Sequence, residues 1–142
     1  MTNHERGELM NQELLEIKSC GEAGYHPLVY FEGWRVAFLN ETPKFYLENI
    51  CDMQRHNTSD EVFVLLEGEF TLYIGDGGDD TPGNITAVKL EPNKMYNVRK
   101  GVWHTHVTGP DSKVVIIENA DVSPENSDYI QVNLQEVCKE KE

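Results

Sequence analysis

At 142 residues and 16.2 kDa, with 39% hydrophobic side chains, the chain has the size and apolar content of one domain around one core rather than two. Acidic residues outnumber basic ones 25 to 12, a formal net charge of −13, and no Lys/Arg stripe is present to neutralise phosphates, which argues against nucleic acid and anionic membrane surfaces as partners. No apolar run approaches the roughly 20 residues that span a bilayer, the opening MTNHERGELMNQ lacks the apolar segment of a signal peptide, and Cys20, Cys51 and Cys138 are too scattered for a disulfide framework or zinc ribbon, so a cytoplasmic protein with reduced thiols is expected.

In chain order, Leu9, Met10, Leu14, Leu15 and Ile17 lie among charged residues, a pattern open to a short amphipathic helix or to the approach of an edge strand. From Leu28 the character changes to short runs rich in Val, Ile, Phe, Tyr and Leu: LVYF, WRVAFL, KFYLENIC, EVFVLLE, EFTLYIG, ITAVKLE, KMYNV, WHTHVT, KVVIIEN and YIQVNL. Turn chemistry separates them, at Gly33, Thr42-Pro43, Gly68, Pro92-Asn93, Lys100-Gly101 and Gly109-Pro110-Asp111. Such a succession predicts an all-β, antiparallel domain whose strand edges are hidden by closing into a barrel or a two-sheet jelly roll. The barrel core is expected over about 28–118, after an N-terminal segment 1–27 and before a C-terminal extension 119–142 whose CKEKE end reads as a solvated tail. The loop GDGGDDTPGN lacks the Lys/Thr of a phosphate cradle and the spacing of a calcium loop, and reads as a mobile hairpin connection.

Side chains alternate along a strand, so Glu61, Phe63 and Leu65 share one face of EVFVLLE while Val62, Val64 and Leu66 share the other. Both faces are apolar beyond Glu61. One is expected to look into the barrel and the other to meet a second sheet, the N-terminal segment or another subunit, which makes a homodimer a natural expectation.

Glu61 opens a strand that is otherwise apolar, a costly place for a carboxylate unless cations or hydrogen-bond donors meet it. His56 lies five residues earlier, across the turn-forming NTSD, and in WHTHVT the residues His104 and His106 share one face, with Trp103 and Thr105 on the other. Imidazole nitrogens and a carboxylate are the donors that first-row divalent metals take, and two His with one carboxylate leave coordination positions open for water or substrate. Trp103, by its parity, is expected to pack. Cys51 has the opposite parity to Gln54 and is expected in the core.

These residues resemble the cupin superfamily. His56, four residues, Glu61, six residues and Gly68 follow the spacing of the second half of its first motif, and Gly101, two residues and His104 follow its second. The resemblance implies a β-barrel holding a divalent metal (Zn, Fe, Mn or Ni) through His56, Glu61 and His104. Gln54 stands where the first motif usually has another His, and can offer only a neutral carbonyl oxygen as a ligand. Glu48, Arg99 and Thr108 replace the motifs' customary Gly, Pro and Asn. His106 is open to three roles, a fourth ligand, a general base or a hydrogen bonder in the pocket wall, and in a catalytic site is the candidate for acid–base work, since imidazole titrates near neutrality. The short stretch GVWH is also similar to the ureidoglycolate lyase family, itself cupin-like. The function expected is a small cupin that binds a metal and a small polar molecule, a sugar or organic acid, as an isomerase, lyase or oxygenase. The alternative is a non-catalytic binding module with weak or no metal, which Gln54 favours.

Overall fold

Strands this short gain stability only in company, and in the computed structural model, which describes residues 13–141, they assemble into two five-stranded sheets. The first runs in the order β1 (Gly24–Phe31), β2 (Trp34–Asn40), β9 (Lys113–Asn119), β4 (Glu61–Glu67), β7 (Tyr96–Val98). The second runs β10 (Ser127–Gln131), β3 (Asp52–His56), β8 (His104–Thr108), β5 (Phe70–Gly75), β6 (Ile85–Lys89). Every neighbouring pair is antiparallel, so the all-β jelly-roll expectation holds.

The alternation in the sequence maps onto two faces. Ala37 and Leu39 of β2, Phe63 and Leu65 of β4, and Val114 and Ile116 of β9 point inward from the first sheet, meet Phe70 and Leu72 of the second, and are buried. On the outer face of the second sheet, Met53, Tyr73, Ile85 and Trp103 form another core, closed by Leu134 and Val137 of the helix α1 (Leu134–Lys141). The outer face of the first sheet differs: Val62 and Val64 are half-buried and Leu66 and Ile117 are 47% and 37% exposed.

Several expectations are corrected. The run KFYLENIC is not a strand; Pro43 opens one 3-10 turn (Pro43–Phe45) and a second follows (Leu47–Asn49), because Tyr46 and Ile50 donate their N–H groups to the carbonyls of Pro43 and Leu47 rather than to a neighbouring strand. The strand comes after it, as the polar DMQRH of β3. Ordered strand pairing also passes both limits drawn at 28 and 118, since β1 begins at Gly24 and β10 is hydrogen-bonded to β3. Cys51 is exposed, not in the core, because it lies just before β3 begins. The start of the CKEKE end continues α1. The connection GDGGDDTPGN is pinned: the Asp79 carbonyl accepts from Trp103 Nε1 at 3.0 Å and Arg55 Nη1 at 2.6 Å, and Gly77 N–H donates to Pro82 O at 2.7 Å. Of the N-terminal apolar residues, Leu9 and Met10 lie outside the described residues, and Leu14, Leu15 and Ile17 are exposed without regular structure. No helix among the described residues is long and apolar enough to cross a membrane.

Candidate metal centre

His56 ends β3 and Glu61 begins β4, so the loop 57–60 sets the distance between them. That loop is fixed from several sides. Ser59 Oγ accepts the Asn119 N–H at 2.9 Å, Asp60 accepts from Lys100 N–H at 2.9 Å and from the Asn97 side chain at 3.0 Å, and the Gly101 N–H donates to His56 O at 2.7 Å. Gly101, at φ +80°, makes the left-handed turn that starts the approach to His104. Gly68, at φ +73°, meets a second constraint, since any side chain there would run into the backbone of Pro110 and Asp111.

The two sheets meet at the site. His56 and His104 come from the second sheet and Glu61 from the first, and all three are buried. Glu61 Oε1 lies 2.9 Å from His104 Nε2 and 3.3 Å from His56 Nε2, and one donor atom from each of the three residues falls within 4.8 Å of the others. The far nitrogens are held as well. His104 Nδ1 donates to the Val102 carbonyl at 2.9 Å, and His56 Nδ1 is 2.8 Å from Ser127 Oγ.

These contacts set the charges. Burial by itself raises the Glu61 carboxyl, but the hydrogen bonds and positive charge of His104 and His56 outweigh it and hold the group well below the usual carboxylate range. Burial would lower His104, but the hydrogen bond and charge of Glu61 and the Val102 carbonyl raise it. Because a carbonyl only accepts, the Nδ1 of His104 keeps its proton. The proton shared between Nε2 and Glu61 is therefore the removable one, and its departure leaves a lone pair facing the carboxylate. This is the tautomer a metal-binding histidine needs, with the outer nitrogen anchored to a carbonyl. The donor set fits a first-row divalent ion.

Gln54 is the cross-strand partner of His104 and, by strand parity with His56, belongs to the inner face; it lines the cavity beside the cluster. His106 points inward too but is not part of the cluster. It is stacked on Phe70 with ring centroids 5.5 Å apart and meets Phe45 edge-on at 4.5 Å, and neither ring nitrogen has a hydrogen-bond partner. Burial lowers its pKa to about 4, so at neutral pH it is an uncharged imidazole and does not titrate near neutrality as its residue type suggests. Trp103 packs outward, as its parity indicates, and carries Arg55 over its ring at 4.5 Å.

The cavity beside the cluster has a volume of about 310 Å³ and is also lined by Tyr25, Arg35, Lys44, Glu118 and Tyr129, which the sequence reading did not single out. Arg35 donates to Glu118 Oε1 through Nη2 at 2.7 Å and Nε at 3.3 Å, and the Tyr25 hydroxyl donates to the same oxygen at 3.0 Å. Burial and the neighbouring Glu61 raise the Glu118 carboxyl against the pull of Arg35. A signal was present: Val114, Ile116 and Glu118 alternate inward along β9 just as Leu65, Phe63 and Glu61 do along β4.

No family model matches the chain, and neither does any curated protein. Solved structures do. A cupin-2 domain protein from Shewanella frigidimarina is 18% identical with a TM-score of 0.51, covering 80% of this chain and 97% of its own. Protein BH2720 from Bacillus halodurans is 16% identical with a TM-score of 0.53, covering 87% and 83%. HppE in its iron(II) form is 18% identical with a TM-score of 0.50, covering 67% and 48%. At these identities the likeness is one of fold, and the fold is cupin-like.

Proposed function

We propose that the protein binds a divalent first-row metal through His56, Glu61 and His104 and a small polar molecule in the adjoining cavity. The observation that carries this reading is the anchoring of His104: its Nδ1 is committed to Val102 O, so the proton on Nε2 is the one a metal would displace between two buried donors. When bound, such an ion supplies a positive centre that polarises a carbonyl or a water. The chain's own residues do the rest. Phe45, Phe63 and Phe70 surround His106 and keep bulk water from that wall, and His106 offers an uncharged hydrogen-bonding nitrogen to the ligand. HppE, which shares the fold, was solved in an iron(II) form, and iron stands with Zn, Mn and Ni as the ions to try. Isomerase, lyase and oxygenase chemistry all use such a centre.

Gln54 favours a second reading, a non-catalytic binding pocket, because a neutral amide stands opposite His104. Elemental analysis of protein purified without a polyhistidine tag, followed by chelator competition on it and on Glu61→Gln, separates the two. A stoichiometric metal in the parent and a loss in the variant are expected. Equally weak binding by both would remove the metal and leave the pocket.

The chain is also proposed to be a homodimer through the outer face of the first sheet, where Leu66 and Ile117 are exposed beside half-buried valines. Sedimentation velocity should give a dimer for the parent and a monomer for Ile117→Lys; a monomeric parent would dismiss it. The free thiols of Cys20 and Cys51 fit a reducing, cytoplasmic setting.

A further inference from the structure

Among the described residues, four buried side-chain polar atoms lack a hydrogen-bond partner: both ring nitrogens of His106, Ser112 Oγ and Glu118 Oε2. Only the last belongs to a carboxylate. Glu118 and Glu61 are direct partners across β9 and β4, and both line the same cavity. An unsatisfied carboxylate oxygen in such a place is a cost to the empty protein that a donor from a ligand would remove.

Its partner cation cannot perform the opposite task of greeting an anion. Arg35 directs Nε and Nη2 to Glu118 Oε1, its remaining hydrogen bonds go to the carbonyls of Ala120 and Val122, each at 3.4 Å, and its guanidinium lies over the Tyr25 ring at 5.9 Å. The other cation on the cavity wall, Lys44, is exposed, with its ammonium 5.3 Å from the Phe45 ring centre. Among the described residues, the buried wall opposite the histidines therefore presents the Glu118 acceptor, while the unpaired cation Lys44 lines the cavity from an exposed position.

We infer that Glu118 selects the ligand: its free oxygen accepts a hydrogen bond from a hydroxyl on the part of the molecule not held at the metal, so the occupant is polyhydroxylated and sugar-derived, and a second carboxylate in that position is excluded. The inference rests on the proposal above that the ligand occupies this cavity. It narrows the choice between a sugar and an organic acid.

Three probes share a carboxylate head and differ in the tail: pentanoate is apolar, xylonate is hydroxylated, and glutarate ends in a second carboxylate. Binding is measured by calorimetry with and without Ni, after Ni uptake has been quantified for the parent and for Glu118→Gln. Because Arg35 and Tyr25 donate to the Oε1 position, the amide oxygen of the variant takes that place and its NH2 replaces Oε2, turning acceptor into donor at constant volume. The parent should bind xylonate roughly 10- to 100-fold more tightly than either other probe, the range of a hydrogen bond to a charged group. In Glu118→Gln that preference should collapse and glutarate should gain, with Ni uptake unchanged. Glu118→Asp, which keeps the charge but withdraws the oxygen by one methylene, is measured alongside and should also weaken xylonate, so the test survives if the glutamine variant does not fold. An unchanged ranking in both variants, a parent that prefers glutarate, or a parent that binds none of the three would overturn the inference. Failure to take up Ni with the xylonate preference intact would overturn only the metal reading.

Discussion

Glu61 and Glu118 face each other across neighbouring strands, equally buried, yet they are opposite in character. Glu61 is met by two imidazoles, whose protons are removable, and is held ionised. Glu118 is met by a guanidinium, whose proton is not, and burial together with Glu61's charge raises its carboxyl above the ordinary value. The lesson is that a buried carboxylate's role follows from what its donors can give up. Imidazoles can exchange a proton for a metal, whereas arginine can only clamp.

Breaking the first carboxylate should have the largest effect. Glu61→Gln removes the only anionic donor of the cluster and should weaken metal binding by more than about 100-fold, since even partners outside the ligand set are worth 10- to 100-fold; competition with a chelator measures it, and a single cooperative unfolding transition in the metal-free variant, at whatever midpoint, would confirm that the fold is spared. Breaking the second is a matter of stability. Arg35→Met strands Glu118 and should cost about 3 kcal/mol, the low end for a broken buried pair because the arginine side chain retains 17% exposure. Chemical denaturation reads the loss, and adding Glu118→Gln should recover most of it.

Gln54→His sharpens the comparison by adding a third imidazole to the Glu61 side. Metal affinity should rise by about tenfold or more, while any turnover falls, because a fourth strong donor takes a position that water or substrate otherwise uses. Unchanged affinity would mean that position 54 does not reach the metal.

The smallest effect is in pH dependence, and its sign differs between the two groups. With Glu61 held below the ordinary carboxyl value of 4.5, its contribution to stability is complete above that value and is lost as pH falls towards the depressed one. With Glu118 held above 4.5, its contribution is complete below that value and is lost as pH rises through the raised one. Denaturation of metal-free protein across pH should therefore show Glu61→Gln flattening the acid side and Glu118→Gln removing the loss on the side above, by about 1.4 kcal/mol for each tenfold difference in proton affinity between the folded and unfolded chain. Parallel curves for the two variants would show that the two carboxylates are not distinguished in this way.

Composition and alternation determined the class of the fold, because side chains that must alternate between core and outside leave a period that survives in the sequence: Glu61, Phe63 and Leu65 were readable as one face before any neighbour was known. The same rule, with the spacing of His56, Glu61, Gly68, Gly101 and His104, made the cluster legible, since its residues lie within a few positions of turns that the sequence marks with Gly, Asn and Asp. Other features needed the assembled sheets. DMQRH carries little hydrophobic signal because its inward residues are Gln54 and His56, so only its pairing with β8 and β10 makes it a strand. Glu118 lies 57 positions beyond Glu61 in the chain, and β9 must insert between β2 and β4 before Arg35, Glu118 and Glu61 fall on one row. The loss of His106's basicity likewise belongs to its surroundings, because three phenylalanines from different parts of the chain remove the water that would solvate its charge. A sequence records which side of a strand a residue takes; which charges and which solvent it meets there are decided by strands that arrive from elsewhere.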